Sequence, residues 1–163
     1  MTPLTVIGIG NPYRGDDGAG RAVAGRLEHK AGLHVLQMDG DASLLLEVLQ
    51  TCERAIVIDA MRSGAAPGTV RRYNALCEPL PTSAQASTHG LGLAEALALG
   101  KVFDTLPRQL EFIGIEGSCF EHGANLSPAV LAAVGAVADD LQARPPTQGS
   151  GHPESASPCT STA

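Results

Sequence analysis

Residues 4–10 of the chain read LTVIGIG, a continuous apolar run with several β-branched side chains. Such a run predicts a buried central strand, and the turn signal Asn11-Pro12 ends it. Gly15–Gly18 predicts a loop, and apolar residues at helical spacing between Arg21 and Leu27 predict a helix. The chain therefore begins as a strand–loop–helix unit of the kind from which α/β folds are built.

Strands and helices continue to alternate along the chain. Asp41 is predicted to cap the N-terminus of a second helix, and Gly100 is predicted to end a third helix. Ser127-Pro128 predicts the start of the last helix. The Arg71-Arg72 pair predicts that the fourth strand lies at a sheet edge. This order predicts an α/β fold: a single domain with a mostly parallel, twisted sheet of five or six strands and helices on both faces, a three-layer αβα arrangement. The later strands are predicted at Leu33–Met38, Arg54–Asp59, Thr69–Asn74 and Gln109–Ile115, and the later helices at Asp41–Leu49, Leu91–Leu99 and Pro128–Leu141.

The composition is typical of one such domain followed by a tail. The chain has 163 residues, of which 44% are hydrophobic and only 3% aromatic, so we expect a core of Val, Ile, Leu and Ala. Residues 1–143 are predicted to form the domain. Residues 144–163 are dominated by Pro, Ser, Thr, Gly and Gln and have almost no apolar side chains, which predicts a disordered tail.

Charge and hydropathy argue against several classes of partner. The net charge is −6 with neutral histidines, which disfavours nucleic acid because phosphate binding needs a basic patch. No apolar run reaches the roughly 18 residues of a membrane span, and no basic region precedes the first apolar stretch. We therefore expect a cytoplasmic protein without membrane insertion. The cysteines show no CxxC spacing and are expected to be free thiols.

Three positions that are far apart in sequence carry side chains suited to a metal site. Asp16 and Asp17 follow the first strand, Asp59 ends the third, and His89 lies just before the third helix. In an open α/β sheet, ligands bind beyond the carboxyl ends of the strands, so these side chains can meet. Two carboxylates and an imidazole in one crevice make a hard-to-borderline metal site, which points to a function built around a metal ion.

Each of these residues also has a simpler structural interpretation. Asp16 and Asp17 suit the positive end of a helix, where an exposed carboxylate stabilises by roughly 0.3–1 kcal/mol. Asp59 is also explained by a helix cap or by a pair with Arg62, and a single histidine is more often structural than a ligand. The combination of Asp17, Asp59 and His89 favours the metal interpretation, because neighbouring carboxylates raise one another's pKa unless a cation lies between them.

Two alternatives use the same residues differently. The first alternative is a dinucleotide site in the first loop, in which Asp39 would bind the ribose. The fingerprint of such a site is G-x-G-x-x-G, and here Tyr13 takes the place of the third glycine, which argues against it. Asp16 and Asp17 would also face the pyrophosphate at the helix N-terminus, where no competing anion is expected. The second alternative is a non-enzymatic, metallochaperone-like module that binds metal through the two carboxylates and the histidine.

Short blocks of sequence connect these residues to a known family. The blocks are Gly8–Gly20 (GIGNPYRGDDGAG), 38–40 (MDG), Ile56–Ala60 (IVIDA), Ala66–Thr69 (APGT), Ser87–Ala94 (STHGLGLA), Ile113–Gly117 (IGIEG) and Leu126–Val130 (LSPAV). In order and spacing, across about residues 4–142, the chain resembles the nickel–iron hydrogenase maturation endopeptidases. The blocks are specific in combination, although each alone is a weak signal.

The resemblance implies a function and a set of site residues. Members of the family clip a C-terminal extension from the precursor of the hydrogenase large subunit after nickel insertion, and their fold is a twisted sheet between helix layers. Their nickel-sensing ligands correspond to Asp17, Asp59 and His89, although some members have Glu at the position of Asp17. The metal is then the nickel of the precursor, with no organic cofactor. Either the bound ion itself activates the attacking water, or Asp16 or Asp39 serves as a base.

Overall fold

The computed structural model of the protein describes residues 2–81 and 88–145, without the side chains of residues 88–91. Strands and helices alternate in these residues, and a short 3-10 turn, Gly15–Gly18, follows the first strand. The strands are β1 (Leu4–Ile9), β2 (Leu33–Met38), β3 (Arg54–Met61), β4 (Val70–Asn74) and β5 (Gln109–Glu116). The helices are α1 (Ala19–Leu27), α2 (Ala42–Gln50), α3 (Thr88–Phe103) and α4 (Pro128–Ala143).

The strands form one five-stranded sheet in the order β2-β1-β3-β5-β4. All pairs are parallel except that of β4 with β5, and β4 is an edge strand, as its two arginines predicted. The chain passes from β1 to β2 on one side and then continues with β3 on the other side. The order therefore reverses between β1 and β3, and the crevice at their carboxyl ends is where open α/β sheets bind ligands.

Helices cover both faces of the sheet, as predicted. Alternate side chains of β1 point to opposite faces, so that Val6 packs with α1 and α4 whereas Ile7 and Ile9 pack with α2 and α3. The two cores consist mainly of Val, Ile, Leu and Ala, as the low aromatic content indicated. Burial of each large aliphatic side chain stabilises the fold by roughly 1.5–3 kcal/mol. These two layers hold the carboxyl edge of the sheet in a fixed geometry.

The third helix is longer than the sequence predicted. It begins at Thr88 and runs to Phe103, so the prediction that Gly100 stops it is wrong. A Cβ on Gly100 would clash with the side chain of Leu106, so the glycine serves close packing rather than helix termination. The helix ends instead at Asp104, which adopts the left-handed conformation with φ of 52°.

An ion-pair network joins the edge strand to the last helix. Arg72 of β4 and Arg144 both donate to the Glu111 carboxylate of β5, at 3.0 and 2.9 Å, and both contact Asp140 of α4, at 2.9 and 3.3 Å. Burial disfavours the charge of Arg144, but the two carboxylates outweigh burial and raise its pKa. Ordered contacts thus continue to Arg144. The rest of the predicted tail, residues 146–163, lies outside the described residues.

No helix within residues 2–81 and 88–145 combines the length and the apolar character that crossing a bilayer requires.

Candidate functional site

Two of the predicted metal ligands lie buried at the carboxyl ends of neighbouring strands. Asp17 is 0% exposed in the turn after β1, and Asp59 is 3% exposed near the end of β3. The register of β1 with β3 pairs Gly8 with Ile58, which brings the ends of the two strands side by side. Backbone amides donate to both carboxylates, that of Asn11 to Asp17 at 3.1 Å and that of Ala60 to Asp59 at 2.8 Å. Both acids therefore lie at the crevice that the strand order creates.

Glycines allow the acidic turn to approach the strand ends. A Cβ on Gly20, at the start of α1, would clash with the carbonyl oxygens of Ile9 and Ile58. Gly10 has a φ of 141°, and a Cβ there would clash with the carbonyl oxygen of Asp17. The glycines of the first block thus serve packing: they seat the turn that carries Asp17 against β1 and β3.

His89 belongs to the first turn of α3. One turn further along, a Cβ on Gly92 would clash with the carbonyl oxygen of Gly40, which follows β2. The beginning of α3 therefore packs beside the same edge of the sheet as Asp17 and Asp59. The His89 side chain lies outside the described residues, and among the side chains that are described no group of three His, Cys, Asp or Glu is placed to hold a metal ion. Joint coordination by the three predicted ligands thus stays a prediction.

Asp16 is fully buried and makes a dense set of hydrogen bonds. Its Oδ2 accepts from the amides of Ser118 and Cys119 at 2.8 and 3.0 Å and from the Ser127 hydroxyl at 2.9 Å, and its Oδ1 accepts from the Ser127 amide at 2.7 Å. Burial alone would raise the pKa of Asp16, but these donors outweigh burial and lower it. The geometry favours a structural role, which joins the acidic turn to the loop after β5 and to the start of α4.

Asp39 is placed very differently from Asp16. Its side chain is 85% exposed just after β2, and Arg21 Nη1 donates to its Oδ1 at 2.8 Å. Arg21 extends from α1 and also approaches the carbonyl oxygen of Gly10 at 3.5 Å and Gln37 Oε1 at 3.4 Å. The arginine thus orients Asp39 at the mouth of the crevice, where solvent reaches the carboxylate.

Glu116 is a buried acid that the sequence reasoning missed. It ends β5, is 2% exposed, and accepts hydrogen bonds from the Ser63 amide at 2.8 Å, the Ser63 hydroxyl at 2.8 Å and the Gly64 amide at 3.0 Å. These bonds hold the loop that follows Asp59. The sequence pattern that pointed to Asp59, an acidic residue at the end of an apolar strand, is also present at Glu116 and would have predicted this buried acid.

Comparison with known proteins assigns the chain to a family. Residues 21–143 match the family model HycI, described as hydrogenase maturation protease. The chain belongs to the hydrogenase maturation protease family. The family resemblance inferred from the sequence blocks is thereby confirmed.

Curated relatives agree with this family assignment. The hydrogenase expression/formation protein HupD of Rhodobacter capsulatus is 30% identical over 133 residues, which cover 78% of this chain and 63% of the relative. HupD of Thiocapsa roseopersicina is 29% identical over 133 residues, or 78% of this chain and 60% of the relative. The chain therefore spans about 60% of the length of these curated relatives.

Solved structures of the family have the same fold. The [NiFe] hydrogenase maturation protease HycI from Thermococcus kodakarensis superposes with a TM-score of 0.67 at 21% identity, over 86% of this chain and 90% of that protein. The hydrogenase maturating endopeptidase HybD from E. coli gives a TM-score of 0.66 at 22% identity, over 85% and 89% of the two chains. The predicted fold class, a mostly parallel αβα sandwich, is confirmed.

Proposed function

We propose that this protein is a cytoplasmic endopeptidase that removes the C-terminal extension of the large-subunit precursor of a nickel–iron hydrogenase after nickel insertion. The observation that carries the proposal is the pair of buried carboxylates, Asp17 and Asp59, at the point where the strand order reverses. Membership of the hydrogenase maturation protease family supplies the class of reaction and the class of substrate.

The nickel is cargo of the precursor, and in this proposal it is what the protease recognises. Two carboxylates buried at adjacent strand ends are costly unless a cation or hydrogen bonds compensate for the lost hydration. Carboxylates together with an imidazole from His89 suit a borderline divalent ion. A precursor that presents nickel would gain these ligands, whereas an unloaded precursor would not, so cleavage would depend on correct metal loading.

The attacking water needs a proton acceptor or a metal ion to activate it. Of the two predicted bases, Asp39 is better placed, because its carboxylate is 85% exposed and oriented by Arg21 at the mouth of the crevice. The Asp16 carboxylate already accepts several hydrogen bonds, and its lowered pKa makes it a weak base. We therefore assign activation of the water to Asp39, as the carboxylate that accepts its proton, or to the nickel ion, which would lower the pKa of a bound water, and we assign a positioning role to Asp16. Peptide hydrolysis consumes only water and needs no organic cofactor.

The direct test is the intact mass of a nickel-loaded large-subunit precursor from the same organism, before and after incubation with the protein. A metal-free precursor runs in parallel. We expect loss of a C-terminal peptide from the loaded precursor alone. Asp17→Asn, Asp59→Asn and His89→Ala should abolish or strongly slow the cleavage, whereas His34→Ala, which changes an exposed histidine of β2, should leave it intact.

One outcome would overturn the assignment of His89, and another would overturn the proposed activity. Undiminished cleavage by the His89→Ala variant would remove the nickel-sensing role of that residue. An unchanged precursor mass, together with tight binding of divalent metal by the isolated protein, would instead favour the non-enzymatic metal-binding module.

A further inference from the structure

Hydrogen bonds connect three loops that follow the carboxyl ends of β1, β3 and β5. The amide of Gly123 donates to the carbonyl oxygen of Tyr13 at 2.8 Å, and Arg14 Nε donates to that of Phe120 at 3.2 Å. The amide of Gly117 donates to the carbonyl oxygen of Met61 at 3.0 Å. These bonds join the loop with the acidic turn to the loop after β5, and the Glu116 carboxylate at the end of β5 accepts from the amides of Ser63 and Gly64 in the loop after β3.

Two large side chains of these loops, those of Tyr13 and Arg62, are exposed, and beside Arg62 lies the half-buried ring of Phe120, which also packs against the core. Tyr13 is 77% exposed although its backbone is fixed on both sides, by the bond from Gly123 and by its own amide, which donates to Asn11 Oδ1 at 2.9 Å. The exposed Arg62 lies over the Phe120 ring with its guanidinium carbon 4.4 Å from the ring centroid. Stacking of this kind holds the guanidinium group in a defined position, and an exposed cation–π contact stabilises by about 0.5–1 kcal/mol. We call Tyr13, Arg62 and Phe120 the rim surface.

Two residues of the rim surface are close in sequence to the candidate metal ligands. Tyr13 lies in the same loop as Asp17, and Arg62 follows Asp59 by three residues. A polypeptide that presents nickel to the two carboxylates would therefore pass over this surface. Tyrosine and arginine are among the residue types that contribute most to protein interfaces, and a side chain that is already oriented, as Arg62 is by Phe120, loses little entropy when it binds.

Charge favours one kind of partner segment. Two guanidinium groups flank Phe120, with Arg62 on its ring and Arg14 at its carbonyl oxygen, against one exposed carboxylate, that of Glu121, the next residue in the loop. The surface is thus cationic and aromatic, although the chain as a whole carries a net charge of −6. Such a surface suits a carboxylate-bearing peptide, with apolar atoms against the tyrosine ring.

We propose that the rim surface is the docking site for an acidic polypeptide segment of the precursor beside the bond that is cleaved. This inference rests on the proposed function, and it adds a binding determinant that is separate from nickel recognition. Because the loops are already joined, the surface would bind its partner without rearrangement, and its contribution would appear mainly as affinity rather than as turnover.

The test measures binding and cleavage of the nickel-loaded precursor separately, on the full-length chain. Biolayer interferometry with immobilised precursor gives Kd, and a mass-based assay gives KM and kcat. Tyr13→Ala and Arg62→Ala should each raise Kd and KM about five- to tenfold, with kcat changed less than about twofold. The Arg62→Ala effect should shrink at high salt, and Tyr13→Phe should retain most of the affinity.

Matched controls lie at the opposite end of the molecule. Phe103→Ala removes an aromatic side chain that is 63% exposed at the far end of α3, about 24 Å from the start of that 16-residue helix. Arg108→Ala removes an exposed arginine just before β5. Both controls should bind and cleave like the wild type, and thermal melts should show that all variants are folded.

The outcomes separate the two proposals. Unchanged Kd and KM in Tyr13→Ala and Arg62→Ala, with an active wild type, would overturn the docking site and leave the endopeptidase intact. Binding that weakens in both variants, from a wild type that never changes the precursor mass, would support the docking site and overturn the endopeptidase. A wild type that does not bind the loaded precursor would overturn the docking site.

Discussion

Replacement of Asp16 by Asn tests whether this buried carboxylate holds the site together. The substitution keeps the shape and one acceptor oxygen, but an NH₂ group then faces at least one of the backbone amides of Ser118, Cys119 and Ser127. A buried donor without an acceptor costs roughly 1–3 kcal/mol, and loss of the charge weakens the bonds that remain. We expect a destabilisation of about 2–4 kcal/mol, or a fall in Tm on the order of 10 °C.

The pH dependence of stability gives an independent readout. Folding lowers the pKa of Asp16, so the ionised carboxylate stabilises the fold at every pH above its unfolded pKa of about 4. That contribution is lost as the pH falls through the lower, folded pKa. The difference in free energy of unfolding between wild type and Asp16→Asn should therefore be constant from about pH 5 to 8 and shrink below about pH 4.

Urea unfolding followed by circular dichroism measures both quantities. Asp39→Asn is the matched control, because the Asp39 carboxylate is 85% exposed and has one ion pair, which predicts a cost below about 1 kcal/mol. An Asp16→Asn variant that is destabilised no more than this control would refute the reasoning, as would a wild-type-to-variant difference that does not change at low pH.

Four further substitutions test three other parts of the structure. Gly20→Ala should destabilise the fold by about 1–3 kcal/mol, because the new Cβ would clash with carbonyl oxygens of β1 and β3. Gly25→Ala should stabilise it by roughly 0.5–1 kcal/mol, because the nearest atom to its Cβ is 3.8 Å away. Urea melts that rank the two variants the other way would contradict the packing argument. Glu111→Gln should lower the free energy of unfolding by about 1–3 kcal/mol in the same melts, because two guanidinium groups lose the carboxylate that they share. A variant that unfolds at the wild-type midpoint would show that the ion-pair network does not stabilise the fold. Glu116→Gln should loosen the loop after β3 and accelerate native-state trypsin cleavage after Arg62, and an unchanged digestion rate would argue against its holding that loop.

Local patterns were enough to predict most of the architecture. Three local features of the sequence agree with the fold: the apolar run of β1, the helix cap at Asp41 and the two arginines of the edge strand β4. The cap is formed as predicted, because Asp41 Oδ1 accepts from the Leu44 amide at 3.0 Å. The third helix was misjudged at Gly100, because glycine is both a helix stop and a packing residue, and the sequence does not show that Leu106 lies against it.

Sequence patterns were enough to predict the fold class, the family and all but one of the acids at strand ends, because strand and helix periodicity and the spacing of motifs are local properties of the chain. It did not separate the roles of those acids. Asp16 and Asp17 are adjacent in sequence, yet donors more than 100 residues away surround the Asp16 carboxylate. Only the tertiary structure brought Ser118 and Ser127 to Asp16 and Ser63 to Glu116. Whether a buried carboxylate is structural or functional depends on which donors surround it, and packing between distant segments decides that.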